Sequence, residues 1–385
     1  MKICILAPRF PFPENGGDVL RINNIARQLK KRGHEVILVC FRPEGNRICE
    51  TYKDCPYNKI YLVPKNRVAS ILYALVSYTI GKPLQTGYYF SFRYLSKFKR
   101  IVISEKPDLF ISHLIRMVPY LKLLHLNHNS IIEMTDVLSK TYLLSRDSLH
   151  WSIKKLAYSL EIDRIKRYEN KTATEFAKTV LVSEADKKLL KIQSKVFVHP
   201  NGIDIRRSSK RDYYSEKIVF VGNMRTLQNQ DAISFFLEDV YDRVVVEIPN
   251  INLWIVGAEP PQYLYGMARG KNVRITGYVK SVEDEIIDAV LSIAPLRIAA
   301  GLQNKVLISM ACGIPVVLST IASKGIPGLI SGYNCIIADS GEAFASSIVS
   351  IIKDRELRDQ LSAAGLAFVK ESYSWEKNLL NYENI

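Results

Sequence analysis

The 385-residue sequence has no apolar run long enough to cross a lipid bilayer. A membrane-spanning helix needs about 18 uninterrupted apolar residues, and the longest candidate, residues 68–80, is too short by about a third. We expect this segment to lie on a membrane, beneath a partner or in the core. The start, MKICILAPRFPF, has one lysine, a very short apolar run and no small-residue cleavage site, so it predicts a first strand rather than a secretory signal.

Metal-binding and nucleophile motifs are also missing. The six cysteines are scattered, without a CxxC pair or a His–Cys cluster, which favours buried thiols in a reducing compartment. HExxH, GxSxG, the Walker phosphate loop, paired metal ligands and GxGxxG are all absent. We therefore expect no bound metal and no cofactor.

Acidic residues are in short supply. The chain has 38 Asp and Glu against 53 Lys and Arg, a net charge of +15. Such a surplus indicates an anionic partner, namely nucleic acid, an acidic membrane surface or a phosphorylated small molecule. The composition, 48% apolar and 24% charged, is that of a globular protein, and the length favours two domains.

Strand and helix patterns alternate along the chain. Residues 2–7 and 34–41 read as buried parallel strands on either side of a helix at 19–32. A polar, basic stretch at 205–215 interrupts the alternation, and a second strand–helix series begins at 217. This predicts an α/β protein of two Rossmann-like, doubly wound domains that face each other across a cleft, with a boundary at 204/205.

The strongest candidate for an anion site follows a predicted strand that ends at Pro295. A loop of small residues leads to a helix start near Asn304, and the cations Arg297 and Lys305 flank this loop. A guanidinium, an ammonium and the amides of a helix N-terminus suit a diphosphate, and Gly301 permits close approach of its backbone. The alternative is a solvated Arg and Lys on a surface loop.

Glycines follow the first strand of each domain. Gly16 and Gly17 would let the backbone approach a ligand beside a helix start, and Gly222 would do so in the second domain. Asn223 could contact the same ligand. The alternative for each is ordinary loop and cap chemistry.

Two polar residues of the first domain follow predicted strands. His113 comes after the strand at 109–112, and Asp136 follows the strand at 130–133. Each is a candidate general acid or base, or a group that orients an acceptor. The alternative for each is a structural role.

Residues 66–104 hold six basic and many aromatic side chains and no Asp or Glu. This composition fits an anionic bilayer surface or single-stranded nucleic acid. The alternative is a helix pair that covers the sheet with a solvated basic face.

Taken in order, several segments resemble the GT-B glycosyltransferases of the large retaining family 4. They are the glycine loop and first helix, VLVSEADKKLL, VFVHPNGID, FVGNM, LWIVGAEPP, VRITGYV, APLRIAAGLQNKVLISMACGIPVV and the tail YSWEKNLLNYENI. The resemblance covers nearly the whole chain, and in particular its bacterial polysaccharide-assembly subgroup. It implies a donor domain at 205–370 and a final helix, 371–385, that returns to the acceptor domain at 1–204.

The chain departs from the family at its donor motif. Two family glutamates with seven residues between them correspond to Ala300 and Ile308, and the family's Arg and Lys after the first donor-domain strand fall near Asn223 and Asn229. The resemblance therefore leaves Arg297 and Lys305 as the cations for the donor diphosphate.

The resemblance implies a retaining, metal-independent hexosyltransferase of cell-surface polysaccharide synthesis. Its partners would be a nucleotide-diphospho-sugar donor, a glycan or lipid-linked acceptor and an anionic membrane surface, with no nucleic acid. We expect it in the cytoplasm, peripheral on the inner face of the cell membrane. The alternative function is a degenerate, non-catalytic GT-B protein that serves as a binding or scaffold subunit, which the two missing glutamates favour. A GT-B epimerase would need carboxylates near the donor that Ala300 and Ile308 do not supply.

Overall fold

The computed structural model describes residues 1–14, 17–43, 54–147, 153–205, 216–298 and 302–384. The chain divides into two compact units. Unit 1 comprises Met1–Asn201 and Asn378–Ile385, and unit 2 comprises Gly202–Lys377. The sequence analysis places the boundaries at 204/205 and 370/371, so the chain enters unit 2 slightly earlier and leaves it slightly later. The prediction of one final helix at 371–385 is wrong: among its described residues only 371–372 and Trp375–Asn378 are helical, and the rest are not.

Within its described residues, unit 1 contains a seven-stranded parallel sheet in the order β3-β2-β1-β4-β5-β6-β7. Most of its strands are buried along nearly their whole length because helices cover both faces, which is why they read as continuous apolar runs. The strands are β1 (Lys2–Ala7), β2 (Glu35–Phe41), β3 (Lys59–Val63), β4 (Leu109–His113), β5 (Ser130–Thr135), β6 (Lys178–Leu181) and β7 (Val196–Val198).

The helices of unit 1 pack on this sheet around an apolar core that includes Phe98, Phe110 and Tyr120. The region from residue 138 to residue 175 contains two helices, and residues 148–152 between them lie outside the described part. The helices are α1 (Gly17–Lys31), α2 (Arg67–Thr79), α3 (Leu84–Tyr88), α4 (Phe92–Glu105), α5 (Val118–Leu123), α6 (Leu138–Asp147), α7 (Ile153–Glu175) and α8 (Glu184–Lys187).

Unit 2 repeats the arrangement with six parallel strands among its described residues, in the order β10-β9-β8-β11-β12-β13. The two-residue strand β13 was not predicted, because two residues are too few to show a pattern. The strands are β8 (Lys217–Val221), β9 (Asn252–Val256), β10 (Val273–Gly277), β11 (Leu291–Ala294), β12 (Val316–Leu318) and β13 (Ile336–Ile337).

The helices of unit 2 enclose a core that includes Phe220, Phe236 and Phe344. A π-helical segment, Phe236–Val240, joins the first two of them. The helices are α9 (Leu227–Phe235), α10 (Tyr241–Glu247), α11 (Gln262–Met267), α12 (Val282–Ile286), α13 (Asn304–Ala311), α14 (Thr320–Ser323), α15 (Gly341–Lys353), α16 (Arg355–Ser372) and α17 (Trp375–Asn378).

The predicted class, two doubly wound parallel α/β sheets, is confirmed. The strand order reverses between β1 and β4 in unit 1 and between β8 and β11 in unit 2. In open sheets of this kind, ligands bind beyond the carboxyl ends of the strands where the order reverses. In unit 1 this place lies beyond β1 and β4, and in unit 2 it lies beyond β8 and β11.

Candidate active site

Lys305 is the central cation of the candidate site in unit 2. It lies in the first turn of α13, its Nζ donates a hydrogen bond to Oδ1 of Asn229, and it stands 5.2 Å from the centre of the Phe220 ring. Burial lowers the pKa of Lys305 to about 8, and among the described residues no carboxylate offsets this effect. A desolvated ammonium without a counter-charge, beside a helix start, is suited to an anionic ligand.

Gly222 and Gly257 bring the backbone close to this lysine. A Cβ on Gly222 would lie 2.6 Å from Nδ2 of Asn229, and one on Gly257 would lie 1.8 Å from the carbonyl oxygen of Gly222. Only glycine therefore leaves Asn229 room to reach Lys305 beside the end of β8. The Nδ2 of Asn229 in turn donates to the carbonyl oxygen of Asn223 at 2.8 Å.

Asn223 forms hydrogen bonds within its own loop. Its Oδ1 accepts a hydrogen bond of 3.0 Å from the backbone N–H of Arg225, and its carbonyl oxygen accepts one of 3.1 Å from the hydroxyl of Thr226. These are the bonds of a tight turn. They fix the loop that carries Gly222.

Arg297 takes a different position from Lys305. It follows β11, its side chain is 54% exposed, and it forms a bidentate pair with Asp231, with Nε 3.0 Å from Oδ2. It lines a pocket of about 340 Å³ together with Ser319 and Asp339, and within the described residues Lys305 is not part of that pocket.

The two cations meet the same helix from different sides. Lys305 contacts Asn229 and Arg297 contacts Asp231, and both partners lie on α9, two positions apart. Helix positions two residues apart do not share a face. Asp231 already neutralises the charge of Arg297, so Lys305 is the cation whose charge is available to an anionic ligand.

The remaining donor-side candidates lie around α13. Asn304 is its first residue and is exposed. Gly301 and Ala300 lie outside the described residues. Ile308 is half-buried and packs against a small core that contains Val219 and Cys312, so an apolar side chain occupies the place of the family's second glutamate.

Unit 1 has a pocket of about 450 Å³ at the carboxyl ends of β4, β5 and β6. Gly17, the first residue of α1, and Asp136 both line it, so the fold brings these two candidates together. Burial raises the pKa of Asp136, and the negative charge of Asp186 adds to the effect. Gly16 lies outside the described residues.

Two residues of this pocket have backbones that sequence patterns do not reveal. Leu114 and Thr135 have φ angles of 67° and 68°, and both line the pocket. A positive φ is costly for a non-glycine residue, above all for β-branched threonine, and such strain concentrates at functional sites. The register of β5 against β6 also shifts between Glu133 and Thr135.

His113 ends β4 but does not line the pocket within the described residues. The residue is 1% exposed, and neither ring nitrogen has a hydrogen-bond partner. Burial lowers the pKa of His113 to about 4, so the ring is neutral at physiological pH. A buried polar group without a hydrogen-bond partner is costly.

An ion pair that sequence reasoning missed lies beneath this pocket. Arg21 of α1 pairs with Glu133 of β5, and its Nη1 donates to Oδ1 of Asn201 at 3.0 Å. Tyr382, from the returning C-terminal segment, donates to Oε2 of Glu133 at 2.9 Å. Arg21 stands among apolar helix positions, and that placement was the available signal.

The helices described here include none that is both long and apolar enough to span a bilayer.

Two protein-family descriptions match this chain. Residues 15–207 match the family described as Glycosyltransferase Family 4, and residues 215–354 match the one described as Glycosyl transferases group 1. The chain belongs to glycosyltransferase family 4. Members of this family transfer a sugar from a nucleotide sugar, and the two parallel sheets are those of the family's GT-B fold.

Individual relatives of this family 4 chain are distant. An uncharacterized 44.6 kDa protein in the cps region of Klebsiella pneumoniae is 24% identical, over 98% of this chain and 97% of its own. Anabaena HepE, solved in complex with UDP, is 13% identical with a TM-score of 0.62, covering 99% and 98% of the two chains. WaaG, a glycosyltransferase involved in lipopolysaccharide biosynthesis, is also 13% identical, with a TM-score of 0.55 and 99% coverage of both chains.

Proposed function

We propose that this family 4 enzyme transfers a sugar, with retention of configuration, from a nucleotide-diphospho-sugar to a glycan acceptor in cell-surface polysaccharide synthesis. The observation that carries the proposal is Lys305, a desolvated cation that contacts Asn229 and has no carboxylate partner among the described residues. The cps-region relative and the solved neighbour with bound UDP support the pathway and the donor class.

In the proposed reaction, the bond between the sugar's anomeric carbon and the diphosphate oxygen breaks as the acceptor oxygen bonds to that carbon on the same face. The acceptor's proton passes to the leaving diphosphate, so no protein nucleophile is required. Lys305 stabilises the charge that grows on the diphosphate, and the first amides of α13 add to this effect. Arg297 contributes to diphosphate binding only when the ligand displaces it from its ion pair with Asp231.

On the acceptor side, we assign Asp136 and Gly17 to the pocket of unit 1. Asp136 would orient the acceptor hydroxyl, and its raised pKa fits a group that exchanges a proton or hydrogen bond with that hydroxyl. His113 would act once the acceptor or sugar gives its ring a hydrogen-bond partner. The acceptor we favour is lipid-linked, which places the enzyme in the cytoplasm at the inner face of the cell membrane.

Thermal stabilisation by a panel of nucleotide sugars, followed by calorimetry, tests the donor assignment. Lys305→Met should weaken donor binding by about 10- to 100-fold, because a charge-assisted bond is worth about 1.5–3 kcal/mol, and Lys305→Arg should retain part of the affinity. Lys324→Met, which removes an exposed lysine of the same unit, is the control. Unchanged donor affinity in Lys305→Met would contradict the assignment.

The second candidate function is a non-catalytic binding subunit, which the apolar contacts of Ile308 favour. It predicts donor binding without donor hydrolysis or transfer. Turnover by the wild-type chain would exclude it. A chain that binds donor without turnover, and gains turnover as Ile308→Glu, would support it.

A further inference from the structure

Helix α2 buries small polar side chains and exposes apolar ones, which is the reverse of the usual arrangement for a helix in water. Its buried side chains are Ser70 and Ser77, whereas large aliphatic side chains face solvent. A helix at a protein surface normally buries its apolar face. The exposed set, each more than half exposed, is Val68, Ile71, Leu72, Leu75, Val76 and Ile80.

Close packing against α3 fixes this orientation. A Cβ on Gly87 would lie 2.1 Å from the carbonyl oxygen of Tyr73 and 2.4 Å from Oγ of Ser77. The small buried residues therefore let the two helices touch. Glu161 of α7 accepts a hydrogen bond of 2.8 Å from the backbone N–H of Leu84, which anchors the start of α3.

A pocket of about 820 Å³ opens beside the exposed face of α2. Its walls include Tyr73, Val76, Ile80, Phe90 and Phe92, which make them largely apolar. The lining also contains one carboxylate, Glu175, and five cationic side chains, which are Lys82, Lys122, Arg164, Arg167 and Lys171.

The cations of this pocket outnumber its carboxylates, since Lys122 and Lys171 share Glu175 as their ion-pair partner. Among the described residues, Nη1 of Arg164 is buried without a hydrogen-bond partner, and it forms an ion pair with Oε1 of Glu161 at 3.6 Å. The pKa of Lys122 is lowered by its burial, and the charges of Lys171 and Lys82 lower it further, although Glu175 opposes the shift. A cluster of mutually repelling cations with apolar walls suits an anion that carries apolar groups.

We propose that the exposed face of α2 and the cationic pocket beside it form a docking surface for an anionic phospholipid bilayer. The aliphatic side chains of α2 enter the acyl region, the pocket cations contact lipid phosphates, and the pocket takes up one lipid chain. Charge complementarity and the aliphatic character of the exposed face together select this partner. The inference uses unit 1 alone and does not depend on the donor assignment.

Other partners fit less well. A second copy of this chain would bring five more pocket cations into a low-dielectric interface. Single-stranded nucleic acid is bound by exposed aromatic stacking surfaces, whereas the exposed α2 side chains are aliphatic.

Arg116 connects α3, the helix that packs against α2, to the acceptor-side pocket of unit 1. Arg116, which lines that pocket, donates from Nε to Oε1 of Gln85 on α3 at 2.7 Å. Its guanidinium also lies 5.3 Å from the ring centre of Tyr89. A bilayer at α2 would therefore present lipid-linked groups near the pocket that contains Asp136.

Vesicle flotation with the full chain tests the proposal, with phosphatidylcholine vesicles that do or do not contain phosphatidylglycerol. We expect binding to the anionic vesicles only, weakened by salt. Leu72→Glu/Leu75→Glu should lower binding by more than about tenfold. Val246→Glu changes a side chain that is 79% exposed on α10 and should leave binding unchanged.

The cations are tested with matched changes in charge. Lys82→Glu/Lys171→Glu should lower binding to anionic vesicles by about tenfold or more, since each surface cation contributes about 1 kcal/mol. Lys324→Glu/Lys370→Glu makes the same change in net charge at exposed sites of unit 2 and should have a smaller effect. Equal losses in the two variants would show that only net charge attracts the protein to vesicles and would overturn the pocket assignment.

A tryptophan reporter tests occupancy of the pocket. Tyr73→Trp should be quenched by brominated phosphatidylglycerol, whereas Tyr263→Trp on α11 should not. No quenching at position 73, or binding to neutral vesicles as strong as to anionic ones, would overturn the proposal. A second copy would be the partner if light scattering found a wild-type dimer that Leu72→Glu/Leu75→Glu made monomeric while vesicle binding stayed unchanged, and this too would overturn the proposal. Preferential binding to single-stranded DNA would also overturn it. Donor affinity should be unchanged in all α2 variants, so a failed donor assignment would show separately.

Discussion

Arg21 and Glu133 form a bidentate ion pair in which both side chains are fully buried, with Nε–Oε1 of 2.9 Å and Nη2–Oε2 of 3.0 Å. The pair joins α1 to β5 beneath the acceptor-side pocket, and Tyr382 bonds to the same carboxylate. A helix start, a strand and the C-terminal segment of unit 1 thus depend on one carboxylate.

Glu133→Gln should lower the free energy of unfolding of unit 1 by about 3–5 kcal/mol, because it leaves the Arg21 guanidinium buried without a counter-charge. Urea unfolding followed by circular dichroism measures the change. Glu247→Gln breaks the pair with Lys353, in which both side chains are 54% exposed, and should cost less than about 1 kcal/mol. Equal costs in the two variants would show that burial of the pair is unimportant.

Donor affinity should depend on the charge of Lys305. Its pKa is about 8 in the folded protein, so affinity should be constant below that pH and fall above it as the ammonium loses its proton. The pKa of this lysine is lower in the folded protein than its ordinary value of 10.5, so the unfolded chain binds the proton more tightly. The free energy of unfolding should therefore rise as pH increases from about 8 to about 10.5. Calorimetry of wild type and Lys305→Arg from pH 6.5 to 9.5 measures the first effect, and the arginine variant should show no fall.

Gly257→Ala should destabilise unit 2 by about 3 kcal/mol or more, because the new Cβ would meet a backbone oxygen that cannot rotate away. That oxygen belongs to Gly222, so donor affinity should fall as well. Gly270→Ala is the control, since Gly270 has a φ of +77° with open space around it. It should cost only about 1–2 kcal/mol for the strained backbone and leave donor binding unchanged.

Gly87→Ala should separate α3 from α2, since the Cβ would clash with the backbone of Tyr73. We expect faster hydrogen exchange of α2 amides and weaker vesicle binding. Gly266→Ala on α11 adds a Cβ in open space and should stabilise its helix by about 0.5–1 kcal/mol. Unchanged exchange in α2 would show that the contact between the two helices does not hold it in place.

Most strands of both sheets could be predicted because they are short and mainly apolar runs. Strand β13 and helix α16 were not predicted, and β13 was missed because it is only two residues long. The site was harder. Asp136 and Gly17 were each proposed because they follow a predicted strand, but the positive φ of Leu114 and Thr135 leaves no mark in residue type.

Local chemistry along the chain determined the alternation of strands and helices, the family and the positions of the candidate residues. Only the tertiary structure decided that Asp231 balances Arg297 while Lys305 has no carboxylate partner in the described part of the chain, that His113 is enclosed, and that α2 turns its aliphatic side outward. The physical reason is that charge, burial and pKa depend on neighbours distant in sequence, whereas apolar periodicity depends on neighbours close in sequence.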